Sequence, residues 1–272
     1  MTGRKSKKIR LCIYGALAVL LILIAVFSDR LCPYNPYEQN LAIAYNPPSL
    51  EHIMGTDAYG RDMFSRIISG ARVSIISTLV LVVIISVVGT LAGTICGYFG
   101  GLFDTVVMRI SDVFLAFPGL VFALAIAAIL GGGVSNAVIA LAFVSWPKYS
   151  RLARGRALAV KEMTYVKAAK LSGDTPLQVI VRHILPNTIG TMLVTAMLDI
   201  GTMMMELAGL SFLGLGAKPP IAEWGSMMSS GRSMLQTYPW VVLSPGLAIF
   251  ISVAVFNLLG DTLRDYLDPK QN

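Results

Sequence analysis

Charged residues are scarce in this 272-residue chain, and their scarcity excludes an ordinary soluble domain. Only 14% of the residues are charged, whereas 55% are hydrophobic and the mean hydropathy is +0.70. One soluble core of this length does not need so much apolar surface, so the natural solvent of the chain is a lipid bilayer. The net charge of +7 does not indicate nucleic acid as a partner, because the basic residues cluster between apolar runs as they do in cytoplasmic loops.

Cysteine and histidine are also rare, which excludes sites built from clusters of these residues. Cys12 and Cys96 lie inside apolar runs and Cys32 stands alone, so no disulfide framework or CxxC metal site is available. The two histidines, His52 and His183, lie in different loops and cannot be read as a histidine metal site. We therefore predict no cofactor in this chain and no firm metal site.

Motifs for ATP binding and for hydrolysis are missing as well. No G-x-x-x-x-G-K-[ST] phosphate loop occurs, so any energy must come from another chain or from a gradient. No HExxH motif and no set of nucleophile, base and orienting residue is present, which ranks a membrane enzyme last. An ion channel or a gradient-driven carrier stays open as a rival class.

Six apolar runs predict an all-helical membrane protein with six spans. The first run, Leu11 to Phe27, comes after the basic segment Met1 to Arg10, and no A-x-A cleavage site follows it, which favours an uncleaved helix. The fourth run is short and must extend toward Lys148 and Tyr149 to cross a bilayer. The other runs are Val73 to Cys96, Val106 to Leu130, Val134 to Trp146, Thr188 to Leu213 and Val241 to Leu259.

Charge in the loops predicts the orientation and the domain plan. The loop at about 148–187 is strongly basic, which is typical of a cytoplasmic loop and places both termini in the cytoplasm. The plan is a basic flank with the first helix (1–30), an extracytoplasmic loop (31–72), a five-helix core (73–267) and a tail (268–272). Eight basic residues of the cytoplasmic loop stand against Glu162 and Asp174: Lys148, Arg151, Arg154, Arg156, Lys161, Lys167, Lys170 and Arg182.

The basic loop has the pattern of two short helices that meet at a tight corner. Gly173 and Pro176 should separate the two helices, and Pro186 should end the second. Ala168 and Ala169 leave little side chain at the corner, so another protein can approach its backbone closely. The alternative is a solvated basic loop that only fixes topology.

The fifth helix carries two carboxylates on one face. Asp199 and Glu206 are seven residues apart, and Met203 lies on the same stripe. Acids at membrane depth are costly, so we expect these three side chains to line a translocation path. The alternative is that the acids bind neighbouring helices, through Arg109 or Asn257. The many methionines here are better explained by packing than by metal binding.

Glycine and proline predict two packing features. Gly89, Gly93 and Gly97 recur every four residues, so another helix can approach the second helix closely. The pair Phe117-Pro118 should kink the third helix.

The segment Lys167 to Pro186 resembles the EAA loop of permease subunits of bacterial ABC importers. The small residues, the glycine and the final I-L-P fit; Lys167 departs from the family's glutamate. The resemblance implies a six-helix type I importer permease (MetI-like) fold and a loop that docks on a cytoplasmic ATPase. We assign to this docking loop Lys167, Ala168, Ala169, Gly173, His183 and Pro186.

Further segments resemble the dipeptide, oligopeptide and nickel group of these permeases. The signatures are Met54 to Asp62 and Leu210 to Gly216, and the segments Leu198 to Met204, Ala222 to Gly225 and Phe256 to Asp265 are most similar to the second nickel permease subunit. The resemblance implies import of nickel, free or chelated, with di- or oligopeptides or metallophores as the alternative. It also implies a second permease subunit, two ATPase subunits that bind ATP and Mg, and an extracytoplasmic binding protein.

Overall fold

A computed structural model describes residues 2–267, with side chains described from residue 7 onward. The predicted tail 268–272 lies outside the described residues. Short 3-10 turns occur at Leu41–Ile43 and Arg232–Met234, and a π turn at Ile180–Ile184. The α-helices are α1 (Thr2–Val26), α2 (Ser28–Leu31), α3 (Met63–Phe99), α4 (Gly101–Ala116), α5 (Gly119–Ile129), α6 (Val134–Lys161), α7 (Thr164–Leu171), α8 (Pro176–Val179), α9 (Leu185–Phe212), α10 (Trp224–Gly231) and α11 (Trp240–Leu267).

Apolar helices long enough to cross a bilayer dominate the described chain. Four qualify by length and composition, namely Lys7–Val26, Met63–Phe99, Pro176–Phe212 and Trp240–Leu267. Helices α4 and α5 qualify only as a pair, with a bend of 95° between them, which is the geometry of a broken span or of a re-entrant loop. The bend confirms the predicted effect of Phe117-Pro118, because proline removes a backbone donor and its ring clashes with the preceding turn.

The chain forms two compact units. The first consists of residues 1–80, 124–140 and 197–272, and the second of residues 81–123 and 141–196. Helices α3, α5, α6 and α9 contribute residues to both units. In the first unit, α11 packs along α1 and α10.

Helix α3 begins at Met63, so the predicted loop 31–72 is too long. The polar residues at its start suggested a loop, but they are buried and have partners. Ser65 is fully buried and its backbone N–H donates to Asp62 Oδ2 at 2.7 Å, while Arg66 Nη1 donates to the carbonyl of Pro36 at 2.9 Å. The segment between α2 and α3, residues 32–62, is called the outer loop below.

Helix α6 continues to Lys161, well beyond the predicted end at Trp146. Two ion pairs hold its basic half against α4. Arg154 donates two hydrogen bonds to the Asp104 carboxylate, at 2.5 and 2.6 Å, and Arg151 donates to Asp112. Helix α6 is absent from the four long apolar helices named above because basic residues follow its apolar first half.

The glycine stripe of α3 lies directly against α6, as the sequence predicts. A Cβ added at Gly93 would overlap the backbone carbonyl of Ser150, and one at Gly97 would lie 2.7 Å from Ala157 Cβ. Tyr149, fully buried, covers Gly89. Since lipid removes most of the hydrophobic drive between helices, such close backbone approach supplies the packing energy.

Replacing Gly93 with alanine should destabilise the protein, since the new methyl group overlaps a backbone atom that cannot rotate away. We expect a loss of about 1–3 kcal/mol or more, the usual range for overpacking. Gly155→Ala on α6 is the matched control, because an added Cβ there meets nothing within 4 Å. Thermal unfolding in detergent would measure both variants, and equal melting temperatures would contradict the contact.

Candidate functional site: a docking corner in the basic loop

The first helix of the basic loop ends in a glycine cap. Helix α7 stops at Leu171, and Gly173 follows with φ +96°, a conformation that favours glycine. The Gly173 N–H donates to the carbonyl of Lys170 at 3.2 Å, and the Asp174 N–H donates to that of Ala169 at 3.1 Å. These two bonds form a Schellman motif, which confirms the predicted break at Gly173.

The second helix starts at Pro176 and does not end at Pro186. Thr175 and Gln178 form a capping box, with proline at the first helical position. The prediction that Pro186 stops this helix is wrong, because the chain runs on into α9. The π turn Ile180–Ile184 precedes the proline. The Leu185 N–H donates to the carbonyl of Ile180, five residues earlier, as is usual in a π turn. Pro186 then sits in the first turn of a helix, where a missing N–H costs little.

A small apolar core holds the two arms of the corner together. Val166 from α7 is fully buried, as are Val179 from α8 and Ile184 from the π turn. They pack with Ala157 and Val160 at the end of α6. The corner is therefore built on the end of α6 rather than suspended as a solvated loop.

Polar contacts at the surface of the corner connect its two arms. His183 Nε2 lies 3.1 Å from Asp174 Oδ2, and the His183 ring packs edge-on against Tyr165, with centroids 6.0 Å apart. Asn187 Nδ2 donates to the Tyr165 hydroxyl at 3.0 Å and to the His183 carbonyl at 2.7 Å. His183, which the sequence assigned to docking, thus has a bracing role within the corner.

The outer surface of the corner carries small and basic residues beside exposed apolar side chains such as Leu171 and Leu177. Ala168 and Gly173 are exposed, and Ala169 is half-buried. Lys167 Nζ lies 2.9 Å from Glu162 Oε2, and this hydrogen bond lowers the pKa of the Glu162 carboxyl. The pair is therefore formed at neutral pH and is lost as the pH falls through that lowered pKa.

Tyr98 connects the corner to a membrane-spanning helix, a role that sequence analysis missed. Lys161 Nζ donates to the Tyr98 carbonyl at 2.7 Å and lies 5.6 Å from its ring centroid. Lys170 Nζ of α7 lies 5.0 Å from the same ring. Both cations thus hold the C-terminal end of α3. An aromatic residue at the end of an apolar run is too common a signal to have revealed this.

The three side chains that were predicted to line a path lie further along α9 than the corner. Asp199 and Met203 are buried, with 4% and 6% of their surfaces exposed, and Glu206 is half-buried. Nearby, Gly201 packs closely on Asn257 of α11. Arg109, the other predicted partner, lies 3.9 Å from Asp112 on its own helix. The role of the three α9 side chains in a path stays a prediction.

The signature Met54 to Asp62 forms a tight turn. Asp57 Oδ1 accepts hydrogen bonds from the Tyr59 and Arg61 backbone N–H groups, at 2.8 and 3.0 Å. Gly55 and Gly60 flank it with φ +71° and +68°. In the part of the chain that the structure describes, no group of three or more His, Cys, Asp or Glu side chains could hold a metal ion.

Apolar helices of membrane-spanning length indicate a membrane protein, and comparison with known proteins identifies its class. The model of the family "Binding-protein-dependent transport system inner membrane component" matches residues 89–272. The chain belongs to this family of ABC importer permeases, which are multi-pass proteins of the bacterial inner membrane. Such a permease works with an ATPase and a binding protein.

Curated relatives match nearly the whole chain. The glutathione transport system permease protein GsiD from Escherichia coli, Shigella boydii and Shigella sonnei is 43% identical. The match covers 98% of this chain and 89% of each relative.

Two solved structures share the fold. The MetNI methionine ABC transporter in inward-facing conformations gives a TM-score of 0.59 at 19% identity, over 76% of this chain and 98% of that one. An amino acid ABC transporter with histidines gives 0.51 at 21% identity, over 74% and 94%. These likenesses establish the all-helical MetI-like fold.

Substituting Gly173 tests whether the corner is a docking surface. Gly173→Trp adds bulk at an exposed position, where no atom lies within 4 Å of an added Cβ, and we expect it to abolish co-purification of the ATPase. Gly173→Ala is the control, because it carries the same positive-φ strain, about 1 kcal/mol, without the bulk. Pull-down from membranes measures both. ATPase recovery with Gly173→Trp equal to that with Gly173→Ala would refute docking at this surface.

Proposed function

We propose that this permease subunit imports small peptides of the glutathione type, in a complex with a second permease subunit and two cytoplasmic ATPases. The substrate assignment is carried by the 43% identity to glutathione permeases over 98% of the chain. Nickel, which the finer sequence resemblance favoured, receives no support from these relatives. It is kept as the alternative cargo.

The longer helices are proposed to form six membrane spans. Four long helices and the bent pair α4–α5 give five. Helix α6 supplies the sixth, because its apolar first half, Val134 to Trp146, continues as helix far enough to cross a bilayer of about 30 Å. An even number of crossings puts both termini on one side, and the basic segments put that side in the cytoplasm.

Coupling to ATP follows from the docking corner. The exposed small residues admit a partner surface, while the apolar core under them connects the corner to α6. Tyr98 adds a second connection, to α3. Closure of the partner ATPases, which bind ATP and Mg, would then move the ends of two membrane helices together.

Transport assays separate the two cargoes. In cells that lack this chain, we expect uptake of labelled glutathione or dipeptide to disappear and to return on complementation, with nickel uptake unchanged. Gly173→Trp serves as an assembly-defective control. Nickel uptake that follows the gene while peptide uptake does not would overturn the peptide assignment and leave the importer class intact.

The α9 carboxylates are proposed to line the path when the helices separate during transport. Asp199→Asn and Glu206→Gln keep the shape of each side chain but remove its charge. We expect at least about a tenfold loss of uptake, the scale of one lost charged contact, with normal assembly. Co-purification of the ATPase measures assembly. If both variants fail to assemble, the acids hold helices together and do not contact cargo.

A further inference from the structure

A cavity of about 180 Å³ lies within the first unit, beside the outer loop. Its walls come from the outer loop and the start of α3, from the segment after α9, and from α10 and α11. Most of its lining is apolar or hydroxyl-bearing. The lining residues on which the inference rests are Asp57, Ala58, Tyr59, Arg61 and Arg66.

Arg61 is buried, and only part of its guanidinium group has a hydrogen-bond partner within the described chain. Its Nε donates to Asp57 Oδ2 at 2.7 Å, and its guanidinium carbon lies 4.7 Å from the centroid of the Tyr59 ring. Only 8% of the residue is exposed. No residue in the described part of the chain accepts a hydrogen bond from its two terminal nitrogens. These nitrogens are open to the cavity, so an acceptor from outside this chain can bind them there.

The charges around the cavity do not balance. Arg66 shares the same carboxylate, with its Nε 3.5 Å from Asp57 Oδ2, and its Nη1 donates to the carbonyl of Pro36. Two guanidinium groups therefore face one carboxylate, and no other lining residue is Asp, Glu, Lys or Arg. The cavity carries one net positive charge and suits one negative charge.

We propose that this cavity is a binding site for a carboxylate group. A carboxylate accepts two parallel hydrogen bonds from the fork of a guanidinium group. The cavity is smaller than pockets for drug-sized ligands, about 300–1,000 Å³, so it admits the end of a larger molecule and not the whole. Two sources share this chemistry: the terminal carboxylate of a peptide, and an acidic side chain of the extracytoplasmic binding protein. The site does not depend on the cargo proposed above.

Fluorine NMR of trifluoroacetate measures the site directly, with the full-length protein in lipid nanodiscs. We expect its resonance to broaden on binding and acetate to reverse the broadening, while neutral trifluoroethanol reports partition into lipid. Arg61→Gln should weaken binding by at least about tenfold, the scale of one charge-assisted hydrogen bond. Arg72→Gln is the matched control, because Arg72 pairs with Asp29 at 2.7 Å on the exposed surface away from the cavity.

A second variant keeps the test decisive if Arg61→Gln does not fold. Ala58 is exposed and lines the cavity, so Ala58→Phe can fill it while the Arg61–Asp57 pair remains. Loss of binding in Ala58→Phe with binding retained in Arg72→Gln supports the site. Absence of broadening in the unmodified protein, or unchanged affinity in Ala58→Phe, overturns it.

Competition identifies the source of the carboxylate. Displacement of trifluoroacetate by glycylglycine, but not by glycylglycine amide, assigns the site to the terminus of a peptide. Displacement by the purified binding protein of the same importer, without effect of the dipeptide, assigns it to that partner. Failure of acetate itself to compete contradicts a carboxylate site.

Discussion

The close contact between α3 and α6 is the constraint on which the second unit depends. A lipid bilayer gives helices little reason to associate through apolar burial alone, so backbone approach at Gly89, Gly93 and Gly97 has to supply the attraction. This contact positions the apolar half of α6. The ion pairs from Arg151 and Arg154 to α4 position the basic half of the same helix. The docking corner is built on the end of the helix that this packing positions.

The corner combines a rigid interior with an accessible exterior. Val166, Val179 and Ile184 bury its apolar side, whereas Ala168 and Gly173 remain exposed. A partner that pushes on the exposed surface therefore moves a packed unit and not a flexible loop. This mechanical property suits the docking on an ATPase that is proposed above.

In the outer loop, a single carboxylate organises the backbone. Asp57 organises the turn by accepting backbone and arginine hydrogen bonds, and it leaves part of the buried Arg61 guanidinium facing a cavity. The same residues that stabilise the turn also create local positive charge.

The sequence by itself determined the class of the protein, its apolar helices, the glycine stripe and the break at Gly173. These follow from local chemistry, because the length of an apolar run and the position of a glycine can be read directly from the order of residues. The tertiary structure decided the early start of α3, the length of α6, the passage through Pro186 and the role of Tyr98. Each of these depends on partners distant in sequence or on a compensating π turn. A buried arginine is stable only where a neighbour accepts its hydrogen bonds, and a proline inside a helix only where the local backbone compensates for its missing N–H.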